Sequence, residues 1–200
     1  MSVADIASVA AMLARAFDDD PVMEWLFPSV KRRRSRLPAF FAAQIRRITL
    51  RRGIGQLTDA GESAALWVAP GRWPPSGAEQ LMMAPRLTVL LGSRARLGAR
   101  GFAAVERVHP HEAHWYLMTL GTDPPQQGRG CGSAAMAPVL ARCDAEGMPA
   151  YLESSKERNI AFYERHGFRL LRELRLPSGP PIWPMLREPQ APAPGVPPPP

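Results

Sequence analysis

The chain has 200 residues, of which 46% are hydrophobic and 22% charged, a composition typical of one globular domain. No stretch approaches the roughly 20 apolar residues of a membrane-spanning helix, and the N-terminus lacks the pattern of a signal peptide, so we expect a cytoplasmic protein that does not enter a membrane. Two cysteines, Cys131 and Cys143, exclude a disulfide framework.

The formal net charge of +7 comes from one segment of the chain. Residues 31–52 hold nine of the 25 basic side chains and no acidic one. An anionic partner such as a nucleic acid explains this charge. A solvated helix face explains it as well, and it is favoured because four apolar side chains recur at the spacing of a core-facing stripe. These four are Leu37, Phe41, Ile45 and Ile48.

The first half of the chain is predicted to be largely helical. The predicted elements are a helix at 4–17, a basic helix to about Arg52, two hairpin strands at 54–59 and 63–70, and helices within 78–108 that break near Gly92, Gly98 or Gly101. Three acidic residues, Asp18–Asp20, follow the first helix. They have the charge to attract a cationic amine, but a solvated loop is the favoured interpretation.

The second half of the chain is predicted to alternate strands and helices. The predicted elements are strands at 114–122 and 150–155, helices at 128–145 and 159–166, and final strands at 168–174 and 181–188. Residues 189–200 contain seven prolines, so we expect an extended or disordered tail.

A glycine-rich loop, Gln127-Gly128-Arg129-Gly130-Cys131-Gly132-Ser133, separates a predicted strand from a predicted helix. Alternating glycines allow backbone amides to approach a bulky anion, and a helix N-terminus adds unpaired N–H groups and partial positive charge. Arg129 adds a full charge. This pattern predicts a site for a pyrophosphate.

Two families of nucleotide-binding loops compete for this pattern. A P-loop requires a lysine after the last glycine, and Ser133 stands there instead. A dinucleotide-binding loop of the GxGxxA type matches residues 130–135, with Glu153 about 20 residues further on as the ribose-binding acid. Five residues separate the strand from the first glycine, however, whereas the dinucleotide-binding turn is tight. The dinucleotide alternative therefore stays open.

A third pattern, Gln127-x-x-Gly130-x-Gly132, resembles the acyl-CoA-binding motif of the GNAT superfamily of N-acetyltransferases. The run at 151–168, which contains LESS and NIAFYERHGF, resembles the second signature of that superfamily. More narrowly, residues 114–187 resemble the puromycin N-acetyltransferase-like group, with a closing Pro-x-Gly-Pro-x-x-Trp-x-Met pattern.

The resemblance implies an α/β (α+β) fold over residues 1–188, followed by the tail. We expect one mixed, mostly antiparallel, twisted sheet of about six strands, flanked by helices and splayed between strands 117–122 and 150–155. The family's opening edge strand is expected to be missing, because this chain begins almost at the first helix. Residues 1–111 would form the acceptor side and residues 112–188 the acetyl-CoA side.

The resemblance also implies the roles of individual residues. Tyr163 would be the general acid and Glu153 the general base. Residues expected to contact acetyl-CoA are Leu120, Gly121, Thr122, Gln127, Gly128, Arg129, Gly130, Cys131, Gly132, Ser133, Asn159 and Phe162. For Asn159, capping of a helix is an equal alternative.

No metal site is predicted, because His109, His111 and His114 lack supporting acids at a zinc-like spacing. The expected activity is direct transfer of an acetyl group from acetyl-CoA to a primary amine of a small molecule, with an antibiotic as one candidate. The alternatives are a nicotinamide dinucleotide-binding protein and a basic nucleic-acid-binding protein.

Overall fold

The computed structural model describes residues 1–190, so residues 191–200 of the predicted tail lie outside the described range. The helices are α1 (Ile6–Ala16), α2 (Pro21–Leu26), α3 (Val30–Gln44), α4 (Leu50–Arg52), α5 (Gly77–Leu91), α6 (Ala95–Glu106), α7 (Cys131–Glu146) and α8 (Ile160–Glu164). The strands are β1 (Gly53–Leu57), β2 (Ser63–Val68), β3 (Trp115–Thr122), β4 (Ala150–Ser154), β5 (Arg169–Leu170), β6 (Leu174–Arg175) and β7 (Pro181–Arg187). No helix within residues 1–190 is both long and apolar enough to cross a bilayer.

The strands form one mixed sheet in the order β1-β2-β3-β4-β7-β5, with β6 also paired to β7. Every neighbouring pair is antiparallel except β3 and β4, which run parallel. This confirms the mixed, mostly antiparallel sheet and corrects the strand number from about six to seven.

The additional strand arises because the predicted strand at 168–174 divides into β5 and β6. Leu170 pairs with Met185 of β7, and the N–H of the next residue, Leu171, donates a hydrogen bond to the Pro184 carbonyl. Proline has no N–H to donate to the ladder, so regular pairing stops there and resumes at Leu174.

The first edge of the sheet is β1. The strand that the resemblance places before the first helix is not found in residues 1–190. Instead, the Met1 amino group donates a hydrogen bond of 3.2 Å to the Gly55 carbonyl of β1.

Helices α1 and α3 cover one face of the sheet, and α7 covers the other. Successive side chains of β2 divide between these faces: Ala64 and Leu66 pack against α1 and α3, while Ala65 and Trp67 pack against α7. All four stripe residues predicted in the basic segment are buried, which confirms that α3 and the π-helical turn at Ile45–Thr49 are anchored by their apolar face.

The basic segment is only in part a solvated face. Arg33 is buried and donates to the Phe27 carbonyl and the Glu24 carboxylate. Arg34 pairs with Asp18, and Arg36 donates to the Leu90 carbonyl. These arginines therefore hold neighbouring elements together, which the charge count did not predict.

The helical region predicted at 78–108 breaks at Gly92, whose φ of 58° ends α5. Gly98 and Gly101, the other two predicted break points, lie inside α6. Gly101 is required for packing, because a Cβ there would lie 2.6 Å from the ring of Trp25.

We expect Phe41→Ala to lower the free energy of unfolding by about 3–5 kcal/mol, because it removes a ring that is 1% exposed and leaves a cavity between α3 and α1. Val30→Ala on the same helix is the control: Val30 is 49% exposed, so its change should stay within about 0.5 kcal/mol. Urea unfolding measures both, and equal losses would contradict the proposed core.

Candidate active site

The parallel strands β3 and β4 pair at only two positions, Trp115 with Ala150 and Tyr116 with Tyr151, and then separate. A bulge accompanies the separation: the register between β2 and β3 shifts between Leu66 and Trp67, which bends β3. A cavity of about 590 Å³ opens between the two strands, as predicted from the resemblance.

The edge of β3 that faces this cavity has free backbone groups. The Gly121 carbonyl accepts a hydrogen bond from Ser63 of β2, so the backbone of Gly121 faces β2. Because backbone groups of successive strand residues point to opposite edges, those of Leu120 and Thr122 face the gap. The Thr122 carbonyl accepts a hydrogen bond of 3.2 Å from Nε2 of Gln127, so the free groups are those of Leu120 and the N–H of Thr122.

Gly121 was predicted to bond the cofactor through its backbone, and its geometry argues against that role. It lines the cavity, but a Cβ there would lie 2.6 Å from Leu13 of α1. Its lack of a side chain lets α1 pack closely on the sheet.

The glycine loop presents a series of free amides at the start of α7. Gly128 and Gly130 adopt positive φ values of 77° and 83°, conformations that favour glycine. No acceptor in residues 1–190 pairs with the amide hydrogens from Gly128 to Ser133. These amides and the N-terminal end of a 16-residue helix form an environment suited to a phosphate group, so the loop fits the pyrophosphate that the sequence predicts.

Most of the predicted cofactor residues do line the cavity, but Arg129 does not. Its guanidinium donates to Gln126 at 3.2 Å, on the exposed side of the loop. The basic groups that do line the cavity are Lys156, Arg158 and Arg165. All three lie within the second signature run at 151–168. The sequence alone did not single them out, because a pattern of strands and helices does not show which charged side chains border a cavity.

Tyr163 lies on α8 and lines the cavity, with its ring otherwise buried against the α7 side of the core. No group in residues 1–190 hydrogen-bonds to its hydroxyl. Burial raises the pKa of the Tyr163 hydroxyl, and the nearby Asp20 carboxylate raises it further, so this phenol keeps its proton at neutral pH.

Asp20 lines the cavity and is 1% exposed, so the expectation of a solvated loop is wrong for this residue. Its carboxylate caps α2 by accepting from the amides of Val22 and Met23, and it accepts a hydrogen bond from the Ser155 hydroxyl. Burial raises its pKa above the ordinary value. Only its neighbour Asp19 is well exposed, where it pairs with cationic side chains of the 156–158 turn.

Glu153 lines the cavity from β4, with a side chain that is only 8% exposed. One of its oxygens lies 3.4 Å from Nδ1 of His109. Asn159 and Phe162 also line the cavity. The side chain of Asn159 makes no capping hydrogen bond, which removes the helix-capping alternative.

No group of three His, Cys, Asp or Glu side chains within the described residues is arranged to hold a metal ion. Cys143 lies on the core-facing side of α7, and burial raises the pKa of its thiol to about 12. Cys131, the first residue of α7, lines the cavity.

A sequence model described as the acetyltransferase (GNAT) family matches residues 65–168, just over half of the chain. The matched range contains both splayed strands, the glycine loop and Tyr163. The chain belongs to the GNAT family of acetyltransferases.

Named relatives agree with this GNAT membership. An uncharacterized N-acetyltransferase of Schizosaccharomyces pombe, C550.08, is 28% identical over 205 residues, covering 93% of this chain and 81% of that protein. The N-alpha-acetyltransferase RimI of Mycobacterium tuberculosis is 30% identical over 127 residues, covering 58% of this chain and 77% of that protein. A Corynebacterium glutamicum structure described as histone acetyltransferase HPA2 and related acetyltransferase has a TM-score of 0.72 and 28% identity, covering 96% and 95% of the two chains.

The GNAT fold also decides against the dinucleotide alternative. A dinucleotide-binding domain is built on a mostly parallel sheet, and only one neighbouring pair in this sheet is parallel. The GxGxxA match at 130–135 is therefore a coincidence of the glycine spacing in the acyl-CoA motif.

The buried charge of Asp20 should make stability depend on pH. Because burial raises its native pKa above the unfolded value near 3.9, the wild type should lose stability relative to Asp20→Asn as pH rises from about 4 through the raised pKa. Asparagine keeps the oxygen that caps α2, so the comparison isolates the cost of the buried charge.

Urea unfolding between pH 4 and 8 measures this difference, with Asp19→Asn as the control. Burial alone would raise the pKa of Asp19, but its pairing with Lys156 and Arg158 lowers it. For Asp19→Asn the change should have the opposite sign and lie at lower pH: the wild type gains stability as pH rises to about 4 to 5, and the difference should be flat above that. A difference independent of pH for Asp20→Asn would contradict the burial of its charge.

Proposed function

We propose that this GNAT N-acetyltransferase transfers an acetyl group from acetyl-CoA directly to a primary amine of a small molecule. One observation carries the proposal: free loop amides, the unpaired edge of β3, a protonated phenol and a buried carboxylate all line the same cavity. A binding protein has no need of the last two groups.

The glycine loop would hold the pyrophosphate of acetyl-CoA. The unpaired amides from Gly128 to Ser133 would donate to its oxygens, and the N-terminal end of α7 adds partial positive charge. Arg158 and Arg165 line the same cavity and would supply the full charge that the sequence assigned to Arg129. Gln127 and Cys131 would border this site.

The free edge of β3 would bind the extended arm of acetyl-CoA. The backbone groups of Leu120 and the N–H of Thr122 would bond it, as a neighbouring strand would. Acetyl-CoA supplies the acetyl thioester, and an N–H of this edge would polarise the thioester carbonyl. Asn159, Phe162 and Gly132 border the same space, with a Cβ on Gly132 reaching 3.4 Å from the Phe162 ring.

Tyr163 and Glu153 would carry the protons. Glu153 accepts one proton from the acceptor ammonium, which leaves a neutral amine to attack the carbonyl. Tyr163 donates its hydroxyl proton to the departing sulfur and recovers a proton from the same amine nitrogen. Of the three protons on the acceptor ammonium, one is thus released through Glu153 and one stays on the amide nitrogen. The third replaces the proton that Tyr163 gave to the thiol.

The acceptor class follows from charge as well as from resemblance. Two buried acids, Asp20 and Glu153, line the cavity and favour a cationic amine. Residues 1–111 would shape the acceptor side and residues 112–188 the acetyl-CoA side. The resemblance to the puromycin N-acetyltransferase-like group makes small amines, antibiotics included, the first acceptors to assay. N-terminal peptides are the second class, because one relative is named an N-alpha-acetyltransferase.

We further propose that the enzyme works in the cytoplasm, since both of its cysteines are free thiols. The nucleic-acid alternative for the basic segment is disfavoured, because several of its arginines are already engaged within the chain.

The loop assignment predicts that Gly128→Ala weakens acetyl-CoA binding about tenfold. A methyl group there enters space that is open in the structure and that the phosphates would need, and the positive φ disfavours alanine. Isothermal titration calorimetry with acetyl-CoA measures the effect, and NAD should give no heat with the wild type.

Gly71→Ala is the matched control, because Gly71 also has a positive φ and open space around it but lies outside the cavity. Both variants carry a similar backbone strain, so a difference in their acetyl-CoA affinity reports the role of the glycine loop alone. Equal acetyl-CoA affinities for the two variants would refute the pyrophosphate assignment, and binding of NAD in place of acetyl-CoA would refute the function.

Tyr163→Phe should lower kcat at pH 7 by about 100-fold or more, because it removes the proton donor for the sulfur. The loss should shrink as pH rises, since a departing thiolate needs its proton less in alkaline solution. Thiol release across a pH series measures the loss, and calorimetry with acetyl-CoA should show unchanged affinity. A pH-independent loss accompanied by weaker acetyl-CoA binding would assign Tyr163 to packing instead.

A further inference from the structure

Two histidines that the proposed function does not use extend from Glu153 into the protein. Nδ1 of His109 lies 3.4 Å from a Glu153 oxygen, and Nε2 of His109 lies 3.0 Å from Nε2 of His114. Nδ1 of His114 lies 2.7 Å from the Glu112 carbonyl. The three side chains therefore form a continuous line from the cavity to the turn that precedes β3.

This line is enclosed. His109 and His114 are each 7% exposed, although both lie next to a surface turn. The rings of Trp73, Tyr116 and Tyr151 surround His109, with centroids 4.8–5.9 Å away. These aromatic neighbours leave the imidazole little freedom to turn, so its two nitrogens stay directed at their present partners.

The hydrogen-bond partners determine the tautomer of His114. A carbonyl oxygen only accepts, so Nδ1 of His114 must carry a hydrogen and donate it to Glu112. Burial lowers the pKa of His114, which keeps it neutral and leaves a lone pair on its Nε2. The facing Nε2 of His109 must then be the donor.

The tautomer of His109 follows from this arrangement. With its hydrogen on Nε2, a neutral His109 directs the lone pair of Nδ1 at Glu153. Nδ1 can therefore take a proton from the Glu153 carboxyl group, and the resulting imidazolium would lie between a carboxylate and the lone pair of His114. Such a site is suited to receive a proton through Glu153.

We propose that Glu153 and His109 share the proton that leaves the acceptor amine, and that His114 orients His109 for this purpose. The inference rests on the proposed function. The N–H bond of the ammonium breaks as an O–H bond forms on Glu153; that O–H bond then breaks as an N–H bond forms on Nδ1 of His109. The proton returns to solvent through Glu153 after the product leaves. Neither imidazole touches the acceptor, so both are positioning residues.

Other ionisable groups near this line bear on its titration. Glu106 of α6 interacts electrostatically with His109 and accepts a hydrogen bond from the Trp73 indole. The Tyr116 and Tyr151 hydroxyls lie near Glu153, and burial raises the pKa of both. Arg172 adds a positive charge near Tyr151. The Glu112 carboxylate acts electrostatically on His114. The tyrosines remain neutral, so Glu106, Glu112 and Arg172 are the charges among the described residues that act on the line.

The first experiment needs no acceptor. Nitrogen-15 NMR of the whole protein, with resonances assigned through single His→Gln variants, reports the tautomer and protonation of each imidazole. We expect His114 to stay neutral with its hydrogen on Nδ1 from pH 5 to 8, and the neutral form of His109 to carry its hydrogen on Nε2. Glu153→Gln should change the Nδ1 signal of His109 and leave that of His114 unchanged, because only His109 faces Glu153.

The second experiment measures the pH profile of kcat/KM with the best amine from the acceptor panel. A proton shared with an imidazole is bound more tightly than one on a carboxylate alone, given ordinary pKa values near 6.5 and 4.3. His109→Gln should therefore move the acidic limb of the profile to lower pH and lower kcat at pH 7 at least tenfold. His111→Gln is the matched control, because His111 is exposed two residues away and should change neither quantity.

Variants of His114 separate orientation from folding. His114→Gln retains an acceptor for the N–H of His109 and should keep most of the wild-type profile. His114→Leu lacks that acceptor and should behave like His109→Gln. Unchanged affinity for acetyl-CoA would show that each variant is folded.

The outcomes distinguish this inference from the proposed function. An enzyme that acetylates amines but whose pH profile is unchanged in His109→Gln and His114→Leu overturns the shared proton alone. A neutral His109 whose hydrogen lies on Nδ1, or a His114 that carries the charge, overturns it as well, even if no amine in the panel reacts. Failure to bind acetyl-CoA overturns the proposed function, and the NMR result then still decides whether Glu153 and His109 share a proton.

Discussion

The parting of β3 from β4 is the constraint on which the rest of the site depends. Two parallel strands that begin as neighbours would normally continue to pair, because an unpaired backbone N–H or C=O away from water is costly. Here pairing ends after Tyr116 and Tyr151, and the bulge opposite Leu66 and Trp67 turns β3 away. The gap-facing edge of β3 and the free amides of the following loop then face one cavity, and both are suited to a ligand rich in hydrogen-bonding groups.

Charge is distributed unevenly around that cavity. Arg158 and Arg165 supply positive charge suited to phosphates, while Asp20 and Glu153 supply negative charge suited to an ammonium group. The two buried acids are held differently. Asp20 is satisfied by a helix N-terminus and a serine, so its role is fixed, whereas Glu153 faces an imidazole and can exchange a proton. Of these two acids, Glu153 is therefore the one that we propose as the general base.

Local sequence was sufficient wherever periodicity or backbone freedom decided the structure. The stripe of Leu37 and Phe41 and the glycine loop before α7 were each predicted, because each depends on residues near one another in the chain. The helix break was predicted only as one of three glycines, and packing decided for Gly92. The prediction of one continuous strand at 168–174 was wrong, and the reason is non-local. Its interruption is imposed by Pro184, a residue of the partner strand.

The sequence by itself determined the family, the alternation of elements and the order of the two motifs, because spacing along the chain carries that information. Only the tertiary structure decided which charges meet. It turned Arg129 away from the cavity, placed the exposed Arg158 at the cavity in a pair with Asp19, buried Asp20 and brought Glu153 next to His109 across 44 residues. The physical reason is that the direction of a side chain depends on what packs against its element. In this protein those neighbours come from distant parts of the chain.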